Sequence, residues 1–363
     1  MANRRKLKRS SDRPAKKLYI AIRKKMVKNA HQLVALCFVT CMATLFFVDY
    51  QQPDLPANLR SSESSLAVEI SYEAMDPPLS QHAPTVELPN HFNFLANNDE
   101  KVKKAPIFWH LPRSGGKTMC KVLGSCRGMV LAGSWMGTSE GNLTIVHEND
   151  MKQVTVDLET KQGRLKAKEE GLTKIDNRLV VLSKSILETS EIFGISVKAE
   201  LWTWFRHPVE RQISYYFFLQ TLPEGHHLYI PAIRAQSLAE WTISPSHTPN
   251  AMLASLLGEP IDQIAWTEED LDLAKNLLRR KAKIGLLDQK AESMRRFSFQ
   301  RDSSFDRECE ERFLHYGWNT KGSYPQVGKK TLAYKLLMQS NALDMKLFEY
   351  ALYLFTEQRS LFG

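Results

Sequence analysis

A chain of 363 residues with 43% hydrophobic, 10% aromatic and 25% charged residues can bury a core of its own, which excludes a small disulfide knot, a collagen-like fibre and a disordered polymer. The formal net charge of +9 is unevenly placed: residues 1–30 hold twelve Lys/Arg and one acid, Asp12, leaving 37 basic and 39 acidic residues in the remainder. Within 101–363 there are 36 bases and 30 acids, a mildly basic balance that suits an anionic ligand and does not call for nucleic acid.

After the basic tail (1–30), Leu33–Val48 (LVALCFVTCMATLFFV) carries no charge and stops at Asp49. A full span usually takes about 20 residues, and His31 and Gln32 extend this one toward the headgroups, so 31–48 is expected to be a single transmembrane anchor rather than a buried core helix. A cleaved signal peptide is disfavoured by the long charged preamble and by the lack of an A-x-A-like site. The cations on the N-terminal side place that end in the cytosol and the rest of the chain in the lumen. Residues 49–100 are rich in Pro, Ser and Asn, carry nine acids and one base, Arg60, and show no sustained periodicity. They are expected to form a flexible lumenal stem leading to a folded domain over 101–363. Golgi-resident type II enzymes share this layout, as do tethered lectins and receptors, so topology alone names no chemistry.

From Lys101 onward, apolar runs alternate with helical patterns. APIFW (105–109), LTIVH (143–147), RLVVLS (178–183), ELWTWF (200–205) and AKIGLL (282–287) are predicted strands, and 117–125, 208–220, 237–243, 267–281 and 289–299 are predicted helices. The alternation predicts an α/β domain with a mostly parallel central sheet flanked by helices. Asp344 to Gln358, with Leu347, Phe348, Ala351, Leu354 and Phe355 on one face, predicts a terminal amphipathic helix. Cys37 and Cys41 fall in the anchor; Cys120, Cys126 and Cys309 allow one disulfide and one thiol in the lumenal part. Asn142-Leu-Thr144 is an N-glycosylation sequon.

Two segments carry the chemistry. In IFWHLPRSGGKTM (107–119) an apolar strand runs into His110, Leu111, Pro112, Arg113, Ser114, Gly115, Gly116, Lys117 and Thr118, and a helical pattern begins at once. Paired glycines let the backbone close on a ligand, and the unpaired N–H groups of the new helix point at it. With Arg113 and Lys117 adding positive charge, this predicts a cradle for a phosphate-like or sulfate-like anion. The segment ends in GKT like a Walker A loop, but Leu111 stands where that motif places its first glycine, and RLVVLS ends in Ser183 rather than a magnesium-binding acid. A nucleotide-dependent kinase is therefore an alternative only.

In LWTWFRHPVERQISYYFFLQ (201–220) a strand ends at Arg206, Pro208 takes the first helical position, and Ser214 lies about two turns further on. Arg206 and Ser214 can converge on a second anionic group, unless Arg206 merely pairs with Glu210. His110, at the C-terminal end of the first strand, is the expected general base, because an imidazole titrating near neutrality suits removal of a hydroxyl proton; a histidine bonded to backbone is the structural alternative, and His147 is the reserve. Asp270-Leu271-Asp272 matches a metal-binding DxD pattern, yet Thr267 and Asp270 also form a capping box at the start of a helix, and capping is favoured. No metal is expected.

The two segments together resemble the nucleotide-binding motifs of the membrane-bound carbohydrate sulfotransferases, the group similar to heparan sulfate and uronyl O-sulfotransferases, which use 3′-phosphoadenosine 5′-phosphosulfate (PAPS). The family's His-x-Pro-Lys-Thr-Gly-Gly-Thr-Thr loop is matched by His110 to Thr118, and its Arg-Asp-Pro-Val-Glu-Arg run by Arg206, His207, Pro208, Val209, Glu210 and Arg211, followed by Ser214. The resemblance spans roughly 105–357. It implies a P-loop-like fold, a 5′-phosphosulfate held by Arg113, Ser114, Gly115, Gly116, Lys117 and Thr118, and a 3′-phosphate held by Arg206 and Ser214. It further implies sulfuryl transfer from PAPS to a glycan hydroxyl in the Golgi lumen, with His110 and Arg113 catalytic. Arg113 replaces the family's loop lysine, Lys117 replaces its Thr or Ser, and LSKSILETSEIFG (182–194) lacks the histidine that members carry between the motifs. A catalytically silent glycan-binding module on the same fold is the alternative from another class.

Overall fold

The computed structural model describes residues 87–98, 101–133, 142–194, 197–258, 265–297, 305–316 and 324–361. The basic tail, the expected anchor at 31–48 and most of the stem lie outside the described residues. Among the described residues no helix is long and apolar enough to cross a membrane.

Seven strands form one sheet: β1 (Lys104–Trp109), β2 (Val130–Gly133), β3 (Ile145–Glu148), β4 (Met151–Val154), β5 (Leu179–Ser183), β6 (Lys198–Phe205) and β7 (Ala282–Leu286), in the order β3-β4-β2-β5-β1-β6-β7. Every pair is parallel except β3 with β4. The central strands read as near-continuous apolar runs because helices cover both faces of a parallel sheet. Ile107 of β1, fully buried, lies opposite Val181 on one side and Leu201 on the other.

The helices are α1 (Gly116–Lys121), α2 (Lys161–Glu169), α3 (Ile186–Thr189), α4 (Pro208–Gln220), α5 (Leu238–Thr242), α6 (Ala251–Leu257), α7 (Glu268–Lys281), α8 (Lys290–Arg296), α9 (Arg307–Tyr316), α10 (Leu332–Ser340) and α11 (Ala342–Glu357). The pattern at 117–125 resolves into α1 followed by a π-helical turn, Val122–Cys126. The segment at 143–147 becomes β3, which starts at Ile145 and is the antiparallel edge of the sheet rather than a parallel member. Its turn, Asn149-Asp150, has both residues at positive φ, 48° and 62°, the geometry that matches the twist of a two-residue hairpin. The folded body also begins earlier than Lys101. Phe92 and Leu95 are buried, Leu95 bridges to Ala199, and the Leu95 carbonyl accepts a hydrogen bond from Lys281 Nζ at 2.9 Å.

Cys126, at the end of the π turn, is joined to Cys309 on α9, with Cα atoms 5.5 Å apart and a sequence separation of 183. The bond marks an oxidising compartment such as the secretory pathway. Cys120 is buried outside the bridge. Beside the disulfide, the buried Arg127 donates to Glu310 on α9 and to the carbonyls of Phe297 and Met294. In this strand order β1 lies between β5 and β6, so the chain leaves β1 toward one half of the sheet and later returns to the other half. A crevice opens at such a switch point, beyond the C-terminal ends of the strands.

Candidate functional site

The loop after β1 occupies that crevice. The His110 N–H donates to the Ser183 carbonyl at 2.7 Å, which extends the β1–β5 ladder one residue past the strand. The backbone then turns through two left-handed positions, Arg113 (φ 70°) and Gly115 (φ 88°), before α1 starts at Gly116. A Cβ on Gly116 would lie 1.9 Å from His110 Nε2, so the imidazole rests directly on the glycine Cα. Ser114 and Thr118 are buried and Lys117 is exposed; the Ser114 hydroxyl has no hydrogen-bond partner.

A left-handed arginine is strained by about 1–3 kcal/mol and persists only where its surroundings hold it. Here the second sequence segment does so. Arg113 Nε donates to Ser214 Oγ at 3.0 Å, and the Arg113 carbonyl accepts from Arg206 Nη1 at 3.2 Å. The Arg113 guanidinium also sits 5.0 Å over the Phe218 ring. Arg206 Nη2 donates to the Tyr324 hydroxyl at 2.6 Å and approaches Glu210 only to 3.9 Å. Arg206 thus joins loop to helix rather than simply pairing along α4. Burial, followed by repulsion from Arg206, pushes the Arg113 pKa down. Two guanidinium groups that repel each other favour a bound anion between them.

Around this interlock lies a cleft of about 1180 Å³. The structure brings His110, Arg113, Gly115, Gly116, Lys117, Thr118, Arg206 and Ser214 together as its lining, with Ser114 buried in the loop itself. The volume exceeds the 300–1,000 Å³ typical of a single small ligand. His110 differs electrically from expectation. Burial first, then the positive Lys184 and Arg113, hold its pKa at about 3 against a favourable contribution from Glu159, so the imidazole is neutral and weakly basic. His147 lies exposed on the edge strand β3 and does not line the cleft. Asp270 is a cap: its N–H donates to Thr267 Oγ1 at 3.3 Å, and its carboxylate accepts from the Thr267 N–H at 2.9 Å. Among the described residues no cluster of side chains could hold a metal ion.

The cleft also contains residues that motif reasoning passes over. Lys184 follows β5, Glu159 precedes α2 and Glu188 lies on α3; Asp288 and Lys290 follow β7. Lys184 had a legible signal, a cation just past the C-terminal end of a strand in a parallel sheet. Glu159 had none, because only the fold brings the β4–α2 turn to the end of β1. Compared with known proteins, the chain matches no protein-family model and no curated sequence.

Proposed function

We propose that this domain is a sulfotransferase that moves the sulfuryl group of PAPS to a hydroxyl of a glycan, acting in the Golgi lumen and anchored through 31–48. The observation that supports it most is the interlock of Arg113 with Ser214 and of Arg206 with the Arg113 carbonyl. It makes the two anion-binding segments one site, as a ligand with two separate anionic groups requires. The buried, unpartnered Ser114 hydroxyl and the repelling arginines fit such a ligand.

In this proposal Arg206 and Ser214 hold the 3′-phosphate. Arg113, Lys117 and the backbone N–H groups of 114–118 stabilise the charge that develops on the departing 5′-phosphate, a preorganised electrostatic task. His110, neutral and seated against Gly116, offers a hydrogen bond to the phosphosulfate without adding charge. Space left in the cleft receives the acceptor.

Ligand linkage supplies the test. Adenosine 3′,5′-bisphosphate is expected to raise the melting temperature of the protein well above the shift produced by ATP with magnesium. PAPS-dependent sulfate transfer to at least one member of a glycan panel is expected to accompany it. Equal or greater stabilisation by Mg-ATP would favour the kinase; stabilisation with no transfer would favour the silent binding module.

A further inference from the structure

We infer that Asn142 carries an N-linked oligosaccharide and that this glycan shields the open edge of the sheet, strand β3, from pairing with a second copy of the chain. The inference goes beyond the sulfotransferase reading and needs only the secretory address marked by the bridge between Cys126 and Cys309. Asn142-Leu143-Thr144 is the single match to the N-glycosylation pattern in the sequence. The structure presents it outward. Leu143 packs against the main apolar core and its N–H donates to Glu170 Oε2 at 2.6 Å, while Asn142 and Thr144 on either side of it are exposed. The Thr144 N–H and hydroxyl both meet Thr155 Oγ1, at 3.1 and 3.0 Å, which fixes the segment at the head of β3.

The two edges of the sheet are finished differently. At β7 side chains satisfy the outer backbone. The Ile284 N–H donates to Gln358 Oε1 at 3.0 Å, and Gln358 Nε2 donates to the Ala282 carbonyl at 2.8 Å. The Leu286 N–H donates to Ser293 Oγ at 2.8 Å, and that hydroxyl donates back to the Leu286 carbonyl at 3.1 Å. At β3 the Thr155 N–H donates to the Thr144 carbonyl at 3.0 Å. Bonded and non-bonded pairs alternate along an antiparallel ladder, so the N–H and carbonyl groups of Ile145 and His147 face outward. Among the described residues nothing bonds to them. The Ile145 side chain is 36% exposed, and the strand, IVHE, has neither the proline nor the lysine that commonly blunts an edge. An open edge is a template for another strand. A bulky, hydrated oligosaccharide three residues before Ile145 denies that approach.

The co-reactant is an oligosaccharide carried on a lipid pyrophosphate. The Asn142 amide nitrogen forms a bond to the anomeric carbon of the first sugar and gives up one proton to solvent. The bond from that carbon to the pyrophosphate oxygen breaks, its electron pair remaining on the pyrophosphate. The position is compatible with the cleft: none of residues 142–155 lines it, and β4, β2 and β5 stand between β3 and β1.

Full-length chain made in a eukaryotic secretory pathway and treated with a peptide N-glycosidase is expected to drop by one discrete step on a denaturing gel. Asn142→Gln and Thr144→Ala should run at the lower position with or without the enzyme, and Thr144→Ser, which keeps the hydroxyl, should retain the step. Wild-type chain deglycosylated after folding, in mild detergent, is expected to associate with rising concentration in light scattering. Ile145→Lys, which places a charge on the edge, should suppress that association. Absence of a mobility step in the wild-type chain, or a step that survives Asn142→Gln, overturns the inference. Association unchanged by deglycosylation, or untouched by Ile145→Lys, overturns the shielding of β3. None of these readouts involves PAPS, so the sulfotransferase reading stands or falls separately.

Discussion

At the scale of single residues the sharpest constraint is Gly116. Alanine is a better helix former than glycine by up to about 1 kcal/mol, but its Cβ would fall 1.9 Å from His110 Nε2. The ring cannot retreat easily, because the imidazole is itself buried. Overlap therefore outweighs propensity, and Gly116→Ala is expected to destabilise the domain by about 1–3 kcal/mol and to abolish the nucleotide-induced melting shift. Guanidinium unfolding and thermal denaturation with adenosine 3′,5′-bisphosphate check both; unchanged values would mean that the loop tolerates a displaced imidazole. The residue types of this site were legible because Arg, Ser, Gly, Gly and Lys in that order have few other uses after an apolar strand. Their mutual contacts were not. Arg113 and Ser214 are 101 positions apart, and a left-handed arginine has no sequence signature, since glycine and asparagine are the residues that advertise positive φ. Nor could the sequence foretell the weak basicity of His110, which arises from burial and from cations supplied by other segments.

At the scale of elements, apolar strands of five or more residues were legible and the four-residue ones only in part: β3 was predicted within LTIVH, whereas β2 (VLAG), buried throughout, and β4 were not. β5 and β6 (LVVLS and KAELWTWF) are buried along most of their length, so their composition announces them. β4 (MKQV) has only four residues, two of them Lys152 and Gln153, and earns its place by pairing with β2. The α5–α6 connection illustrates a hidden element-level property. His247 is 8% exposed and packs edge-on against Trp241 of α5, with ring centroids 4.8 Å apart. Burial, and then Arg211 on α4, lowers its pKa to about 4. In the unfolded chain a histidine titrates near 6.5. Between these values the unfolded state binds the extra proton, so stability is greatest above about pH 6.5 and declines as the pH falls toward about 4. One such group contributes a slope of at most about 1.4 kcal/mol per pH unit. Removing it by His247→Gln is expected to flatten the acid limb of a denaturant-derived stability profile over that window. An unaltered limb would show that the imidazole is already protonated in the folded protein.

At the scale of the whole molecule, the bridge between Cys126 and Cys309 closes a loop of 183 residues that contains most of the sheet. Chain-entropy arguments give such a loop about 5 kcal/mol, and removal of native disulfides commonly costs about 2–5 kcal/mol. Cys309→Ser is therefore expected to lower unfolding free energy within that range, measured by urea denaturation of the non-reduced proteins. The buried Arg127 contacts to Glu310, Phe297 and Met294 remain in the variant and should preserve a cooperative transition. A loss below about 0.5 kcal/mol would mean that those contacts alone hold α9 in place.

The same bridge has a consequence in time. A ribosome adds roughly 5–20 residues per second, so Cys126 is made about 10–40 s before its partner 183 positions later. Throughout that interval the nearest thiol already synthesised is Cys120, less than two helical turns upstream. Pairing of β1 with β5 and β6, whose apolar side chains form one cluster with Cys120, takes that competitor out of reach before Cys309 is made. The nascent sheet would thus act as a guard against a premature cross-link, and the correct bond would be among the last events of maturation.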